Sequence, residues 1–315
     1  MNTALAAAAA LVLDRIVGDP LFPPHPVILM GRYIAWWDRR WNHPEAGGAN
    51  RWAGAALVGS GLLLFAGVPL VGLAALAHLF SPLAWAVGIW LTTTTIAWKS
   101  LVQSGQAVSD ALAHQGLPAA RAAVGRIVGR DVADLDEPGV VRAAVETLAE
   151  NLVDAVTAPL LYACLLGAPA ALAYRWVNTL DAMVGHQTDR HRHFGWASAR
   201  LDDALNWVPA RLTAGLMVLL LPLAGLNLQQ GARMLRRDGR RHPSPNSGLP
   251  EAVMAGALSV QLGGTNWYQG AASHRPLLGD PTAPLQRLHI ERTLAVVNWT
   301  CGSLVALLAV VGVRP

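Results

Sequence analysis

Charged side chains are scarce in this chain: Asp, Glu, Lys and Arg make up 14% of its 315 residues. A soluble domain carries about a quarter, so an ordinary water-facing surface is excluded for most of the sequence. Cysteine is nearly absent. Cys164 and Cys301 both sit in apolar runs, with no Cys-x-x-Cys and no metal-ligand spacing, which argues against a disulfide framework or a zinc site. Also missing are the phosphate-cradling Gly-x-x-x-x-Gly-Lys-Ser/Thr loop, internal repeats, low-complexity tracts and the basic stripe with interleaved aromatics that would suit nucleic acid. No Lys or Arg precedes the apolar stretch from Thr3 to Leu13. A cleavable signal, which needs a basic leading segment, is therefore not expected, and a retained helix ending in Asp14-Arg15 is.

What the chain has instead is apolar length. Its hydrophobic fraction is 53% and its mean hydropathy +0.35. Apolar runs cover Ala53 to Phe80, Leu83 to Trp98, Ala155 to Tyr174, Leu212 to Leu226 and Leu294 to Val313. The first and last are long enough for a bilayer core, which takes about 20 residues; the others are shorter or broken. Trp36, Trp37, Trp41, Trp52, Trp85, Trp90 and Trp98 stand near the ends, as interfacial anchors do. We therefore expect a single all-α domain over residues 1–315: a polytopic membrane bundle with broken or re-entrant helices. The formal charge of +4, the isoelectric point near 9.6 and the arginines from Arg233 to Arg241 suit loops beside anionic lipid.

Polar, motif-bearing connectors separate these runs. Asp136 is expected to cap a helix that runs through Asn151, with Glu137 and Pro138 in its first turn. Pro209 is read near a helix start. Pro250 is read as opening a small-residue helix that stops at Gly263-Gly264. If every apolar run crosses once, blocks 17–52, 99–152 and 228–292 share a face and block 175–208 lies opposite. A split at Gly167-Ala-Pro169 would give a re-entrant hairpin instead, and broken elements around a cavity are allowed.

The most informative stretch is Val145-Glu-Thr-Leu-Ala-Glu-Asn-Leu-Val-Asp154. At about 100° per residue, Glu146, Glu150 and Asp154 fall within roughly 80° of one another on a helix. Arg142 extends the stripe and Asn151 flanks it. Such a stripe can be a solvated face, but one that continues toward lipid depth is costly unless it binds something. Mg²⁺ prefers a few carboxylates with water and phosphate oxygens. Asp202, Asp203 and Asn206, between Arg200 and Arg211, form a second acidic turn that suits either metal–phosphate contacts or plain intrahelical pairing. Asn178 and Asp181 share a face. Asn246-Ser-Gly248 precedes a helix whose free N–H groups can seat an anion, and Glu251 suits the positive end of that helix. Lys99 ends an apolar run, where a snorkelling lysine is the plainer reading. Arg130 and Asp131 lie in a loop where Arg meets phosphate and Asp orients it. His25 stands between prolines. His191-Arg-His193 resembles a metal pair but has no third ligand nearby.

Taken in order, Leu13-Asp-Arg-Ile-Val-Gly-Asp-Pro20 with Pro24-His-Pro26, Gly129-Arg-Asp131, Glu146 through Asp154 with Ala158-Pro-Leu160, Asn178-Thr-Leu-Asp-Ala-Met-Val-Gly185, Ala199-Arg-Leu-Asp-Asp203 through Arg211, and Ser244-Pro-Asn-Ser-Gly248 through Gly256 span nearly the whole chain. Together they resemble the membrane-bound adenosylcobinamide-phosphate synthases of cobalamin biosynthesis. Three positions depart from that pattern: Ala182 stands where Ser is frequent, and Ser247 and Leu249 replace the common Ala and Trp.

The resemblance implies an ATP- and Mg²⁺-dependent ligase in the inner cell membrane. It joins (R)-1-amino-2-propanol, usually as its O-phosphate, to adenosylcobyric acid through an activated carboxyl group. By the same resemblance Glu146, Glu150, Asp154 and Arg130 are catalytic, with Glu150, Asp154, Asp202 and Asp203 on the metal. Arg130, Arg200 and Arg211 meet phosphoryl oxygens. Asp14, Asp19, His25, Lys99, Asp131, Asn151, Asn178, Asp181, Asn206, Asn246 and Glu251 line the substrate. Association with other late cobalamin-pathway membrane enzymes stays open. So do two alternatives: a non-catalytic corrinoid transporter or scaffold, and a signalling membrane protein of the AmpE-like kind.

Overall fold

The computed structural model describes residues 2–18, 25–186, 188–268 and 270–313. Helices come in the order α1 (Thr3–Val17), α2 (Pro26–Trp41), α3 (Asn50–Leu62), α4 (Val68–Leu79), α5 (Ser81–Thr93), α6 (Trp98–His114) and α7 (Leu117–Val124). They continue with α8 (Glu137–Leu152), α9 (Ala158–Leu166), α10 (Ala168–Val184), α11 (Trp196–Leu220), α12 (Leu228–Asp238) and α13 (Gly248–Leu258). A hairpin of β1 (Leu262–Tyr268) and β2 (Ala271–Leu278) precedes the last helix, α14 (Arg287–Val313). The protein is an all-α, multi-pass membrane protein. Among the described residues, four helical runs are long and apolar enough to cross a bilayer: Pro44–Leu79, Glu137–Leu166, Trp196–Ala224 and Arg287–Val313.

Several local expectations are met. Asp136 caps α8 by accepting the Gly139 N–H at 2.8 Å. The run from Ala155 to Tyr174 breaks at Gly167, whose φ of 82° is a left-handed conformation that glycine adopts at little cost. The run from Leu83 gives only the 13-residue α5, too short to span alone. Three expectations are corrected. Pro209 lies inside α11 instead of at a helix start. Its missing N–H frees the Leu205 carbonyl, which accepts the Tyr162 hydroxyl at 2.9 Å instead, so the helix continues. The helix after Pro250 ends at Leu258, where Ser259 turns left-handed at φ 59°. Gly263 and Gly264 lie beyond it, in a strand that the sequence reading did not contain. Tyr162→Phe is expected to lower stability by about 1 kcal/mol, the net worth of one part-buried hydrogen bond. An unfolding midpoint in detergent equal to wild type would count against this account of Pro209.

The chain packs as two compact units. The first holds residues 1–97, 154–206 and 304–315. Its core gathers Met30, Ile34, Leu57, Leu172, Trp176, Val177, Leu180, Val184 and Phe194. Trp176 covers Gly61 so closely that a β-carbon there would lie 2.0 Å from the indole ring. Along α3 and α4, Trp52, Leu63, Leu64, Val68, Leu70, Val71 and Leu79 face outward, as a lipid-exposed span requires.

The second unit holds residues 98–153 and 207–303. At its centre α8 buries Val140, Val141, Ala143, Ala144, Val145, Leu148 and Ala149, while all of α13 is buried. Small residues let the backbones approach: a β-carbon on Gly256 of α13 would sit 2.4 Å from the Gln230 carbonyl of α12. The hairpin pairs Tyr268 with Ala271 across its turn, with an irregularity between Leu262 and Gly264.

Candidate functional site

Glu146 is the anchor of a polar cluster in the second unit, on the inner face of α8 and only 2% exposed. A carboxylate this deep is stable only when both oxygens are satisfied. Its Oε2 accepts Arg130 Nη2 at 2.5 Å, and its Oε1 accepts the Gly263 backbone N–H at 2.7 Å. That second bond accounts for the glycines after α13. Gly263 has φ 84°, and a β-carbon there would fall 2.2 Å from the Pro276 carbonyl, so the N–H can reach Glu146 only from glycine.

Arg130 donates its other nitrogen, Nη1, to Asn266 Oδ1 at 2.8 Å. Arg142, one helical turn before Glu146, donates to the Gly263 carbonyl, to the Thr265 carbonyl at 3.2 Å and to Asn266 Oδ1 at 3.1 Å. Two guanidinium groups therefore converge on one amide oxygen. Asp131 pins the same hairpin: its N–H donates to the Trp267 carbonyl at 2.7 Å and its Oδ2 accepts the Gly270 N–H at 2.8 Å.

Glu150, one turn further along α8, accepts the Ser247 hydroxyl at 2.8 Å. An alanine at position 247 would not make this bond. Glu251, in the first turn of the short helix α13, is 1% exposed. Burial first, then the nearby Glu146 and Glu150, hold its carboxyl well above the ordinary value of 4.5, against the pull of Arg275 and Arg130. Its carboxyl therefore favours the protonated form. Arg275 on β2 donates to His242 Nε2 and to the Tyr268 hydroxyl, both at 3.2 Å. Burial and the facing Arg275 hold His242 below its usual 6.5, so the imidazole is neutral as well. Three guanidinium groups, Arg130, Arg142 and Arg275, thus gather around Glu146 and Glu150, while the environment of Glu251 disfavours a further negative charge. Among the described residues, Arg142 Nε, Glu251 Oε1 and Asn266 Nδ2 are buried with no hydrogen-bond partner. Native interiors leave few such atoms; three in one cluster with a cationic excess make a seat for an anionic, hydrogen-bonding ligand.

The raised Glu251 pKa sets a pH dependence. The folded state keeps a proton that the unfolded chain loses above 4.5, so stability falls as pH rises from that value toward the raised pKa. Glu251→Gln should flatten this fall. Unfolding midpoints of both proteins between about pH 5 and 8 test it, and parallel curves would remove the assignment.

The other expected residues are spread over both units. In the first unit Asp202 accepts Asn178 Nδ2 at 3.3 Å and Asn206 Nδ2 at 3.0 Å, and Asn206 Oδ1 accepts the Tyr174 hydroxyl at 2.8 Å. Asp181 acts electrostatically on Asp202, Asp154 and Asp202 act on Tyr174, and Arg200 acts on Asp203. Asp181 folds over Gly185, where a β-carbon would sit 2.0 Å from its Oδ1. The acidic stripe is therefore divided: Glu146 and Glu150 belong to the second unit, and Asp154 to the first. A π turn at Val153–Thr157 marks the division, and such a turn rotates the face on which later side chains emerge.

Asp14 is buried in α1, and its carbonyl accepts the Gly18 N–H. His25 is the buried residue preceding Pro26 at the start of α2, and Lys99 lies in the first turn of α6. Asn151 bonds the Thr147 carbonyl of its own helix. Asn246 is buried just before α13, its N–H held by Ser244 Oγ. Arg211 joins the arginines of α12 instead of the carboxylates. Asp19 lies outside the described residues. No group of three His, Cys, Asp or Glu that could hold a metal ion occurs among the described residues. The sequence reading missed His242, Asn266 and Arg275; the Gly-Gly pair ahead of Thr-Asn-Trp-Tyr268, with Gly270 at a two-residue turn, was the available strand signal.

Comparison with known proteins identifies the family. The sequence model of the CobD/Cbib protein family matches residues 7–297. The cobalamin biosynthesis protein CobD of Halalkalibacterium halodurans is 45% identical over 299 residues, covering 94% of this chain and 92% of that protein. That of Geobacter metallireducens is 49% identical over 282 residues, covering 88% and 86%. That of Klebsiella pneumoniae is 42% identical over 325 residues, covering 99% and 98%. No solved structure matches the chain. With the match running through α1 to α14 and every element of the Glu146 cluster inside it, the chain belongs to the CobD/Cbib family, whose role is cobalamin biosynthesis.

Proposed function

We propose that this chain joins (R)-1-amino-2-propanol, or its O-phosphate, to the free propionate of adenosylcobyric acid by ATP-dependent amide-bond formation. The observation that carries this reading is the Glu146 cluster: three guanidinium groups gathered around Glu146 and Glu150, with buried donors left unsatisfied. When bound, Mg-ATP supplies the phosphoryl group that makes a carboxylate a competent acyl donor. The residues present fit that demand. Mg²⁺ is commonly held by one or two carboxylates plus phosphate oxygens instead of an all-protein cage. Glu150, half-buried and hydrogen-bonded to Ser247, would hold it.

Arg130 and Arg275 bind and orient anionic oxygens and stabilise charge as it develops. Glu146 keeps Arg130 in one rotamer, and Arg142 fixes Asn266 so that its amide NH₂ faces the ligand. Glu251, whose buried site favours the protonated carboxyl, offers a hydrogen bond to the ligand. A multi-pass fold suits a reaction carried out at the inner cell membrane.

The test uses the full-length protein in membranes, incubated with adenosylcobyric acid, aminopropanol phosphate and Mg-ATP. Mass spectrometry should show a new amide that depends on nucleotide. No amide, or equal amounts without nucleotide, would overturn the proposal.

A further inference from the structure

The arginines around α12 fall into two classes. Arg237 and Arg241 are neutralised within the protein: Arg237 pairs with Asp238 and Asp280, and Arg241 pairs with Asp238. Arg211, Arg236 and Arg240 have no carboxylate partner among the described residues, yet they line one cavity of about 470 Å³ with Ala214, Leu235 and Leu249. Arg240 acts on Arg211 as a like charge. Three cations brought together without an anion repel one another, and an anion seated among them relieves that repulsion.

The surroundings say where that anion comes from. Arg211 sits on α11, in the candidate span Trp196–Ala224. Its guanidinium lies 4.0 Å over the Trp207 ring, and Nη1 donates to the Trp207 carbonyl at 2.7 Å. On the same helix Trp207, Val208, Leu212 and Leu219 are 52%, 47%, 57% and 69% exposed. Outward apolar side chains beside an indole belong to a lipid-facing surface at the headgroup level. The cavity thus opens where acyl chains and phosphates meet, with an apolar wall and a cationic floor. We propose that Arg211, Arg236 and Arg240 form a specific seat for the phosphodiester headgroup of an anionic phospholipid, its chains lying along Trp207 and Leu212. The seat is separate from the Glu146 cluster and does not depend on the reaction assigned to it.

The test titrates the purified full-length protein in detergent with phosphatidylglycerol and with phosphatidylcholine, counting bound lipids by native mass spectrometry. Wild type should prefer phosphatidylglycerol by about 100-fold, roughly fivefold for each of three arginines. The triple variant R211Q/R236Q/R240Q should lose that preference, while R233Q, outside the cavity, keeps it. Should the triple variant fail to fold, the exposed single variant R240Q should still weaken binding by about fivefold. Equal affinity of wild type for the two lipids would overturn the proposal. So would unchanged preference in the variants. Displacement of phosphatidylglycerol by millimolar inorganic phosphate would assign the seat to a free anion and overturn it as well.

Discussion

Glu150→Gln is expected to abolish nucleotide-dependent amide formation, with turnover down by about 10²–10³-fold, the usual consequence of removing one group that stabilises charge in a transition state. The substitution keeps the side chain's size and an oxygen to accept from Ser247, which bonds Glu150 at 2.8 Å. It removes only the charge. Packing of α8 should therefore survive, and the variant should insert, elute and unfold like wild type. This separates the carboxylate's chemistry from its place in the fold. Rates measured across Mg²⁺ concentrations sharpen the result, because a lost metal contact raises the Mg²⁺ requirement of whatever activity is left. Full activity with an unchanged Mg²⁺ requirement would take Glu150 out of the mechanism.

Arg130→Met should destabilise the protein by about 3–5 kcal/mol, because it leaves a buried charge without its counter-ion. Glu146 is 2% exposed, and its ion pair with Arg130 is 2.5 Å long. The cost lies in the orphaned carboxylate more than in the lost attraction. Removing both charges with R130M/E146L should therefore recover much of the stability, since apolar replacement of a buried pair is often close to neutral. Activity should not return with it, because Arg130 is proposed to meet anionic oxygens. The unfolding free energies of wild type, R130M, E146L and R130M/E146L in detergent form a double-mutant cycle. A double variant as unstable as the sum of the singles would show that the two groups act independently.

Most of the architecture was legible because it rests on local physics. Apolar runs gave the spans, Gly167 gave the break before α10, and Asp136 gave the start of α8. Glu146 and Glu150 stood out because carboxylates entering an apolar run need a reason to be there. What escaped were features whose cause is distant in sequence. Gly263 looked like a helix terminator, and only its bond to Glu146, 117 positions away, explains it. Arg275 and His242 lie in unremarkable polar stretches and meet through the hairpin. Pro209 was misread since its tolerance depends on a hydroxyl from Tyr162. The division of the acidic stripe at Asp154 was hidden because periodicity assumes an unbroken helix, and the π turn at Val153–Thr157 breaks it.

The spacing of Glu146's two partners has a consequence for how the chain is made. Arg130 precedes Glu146 by 16 positions, whereas the Gly263 N–H comes 117 positions after it. At about 5–20 residues per second, the ribosome delivers that glycine roughly 6–23 s after the acid. The guanidinium is thus the companion already present when α8 leaves the translation machinery, and it accompanies the negative charge into a medium that cannot solvate it. The hairpin arrives as the final clasp. A nascent chain halted before residue 263 would hold a neutralised acid but no finished receptor.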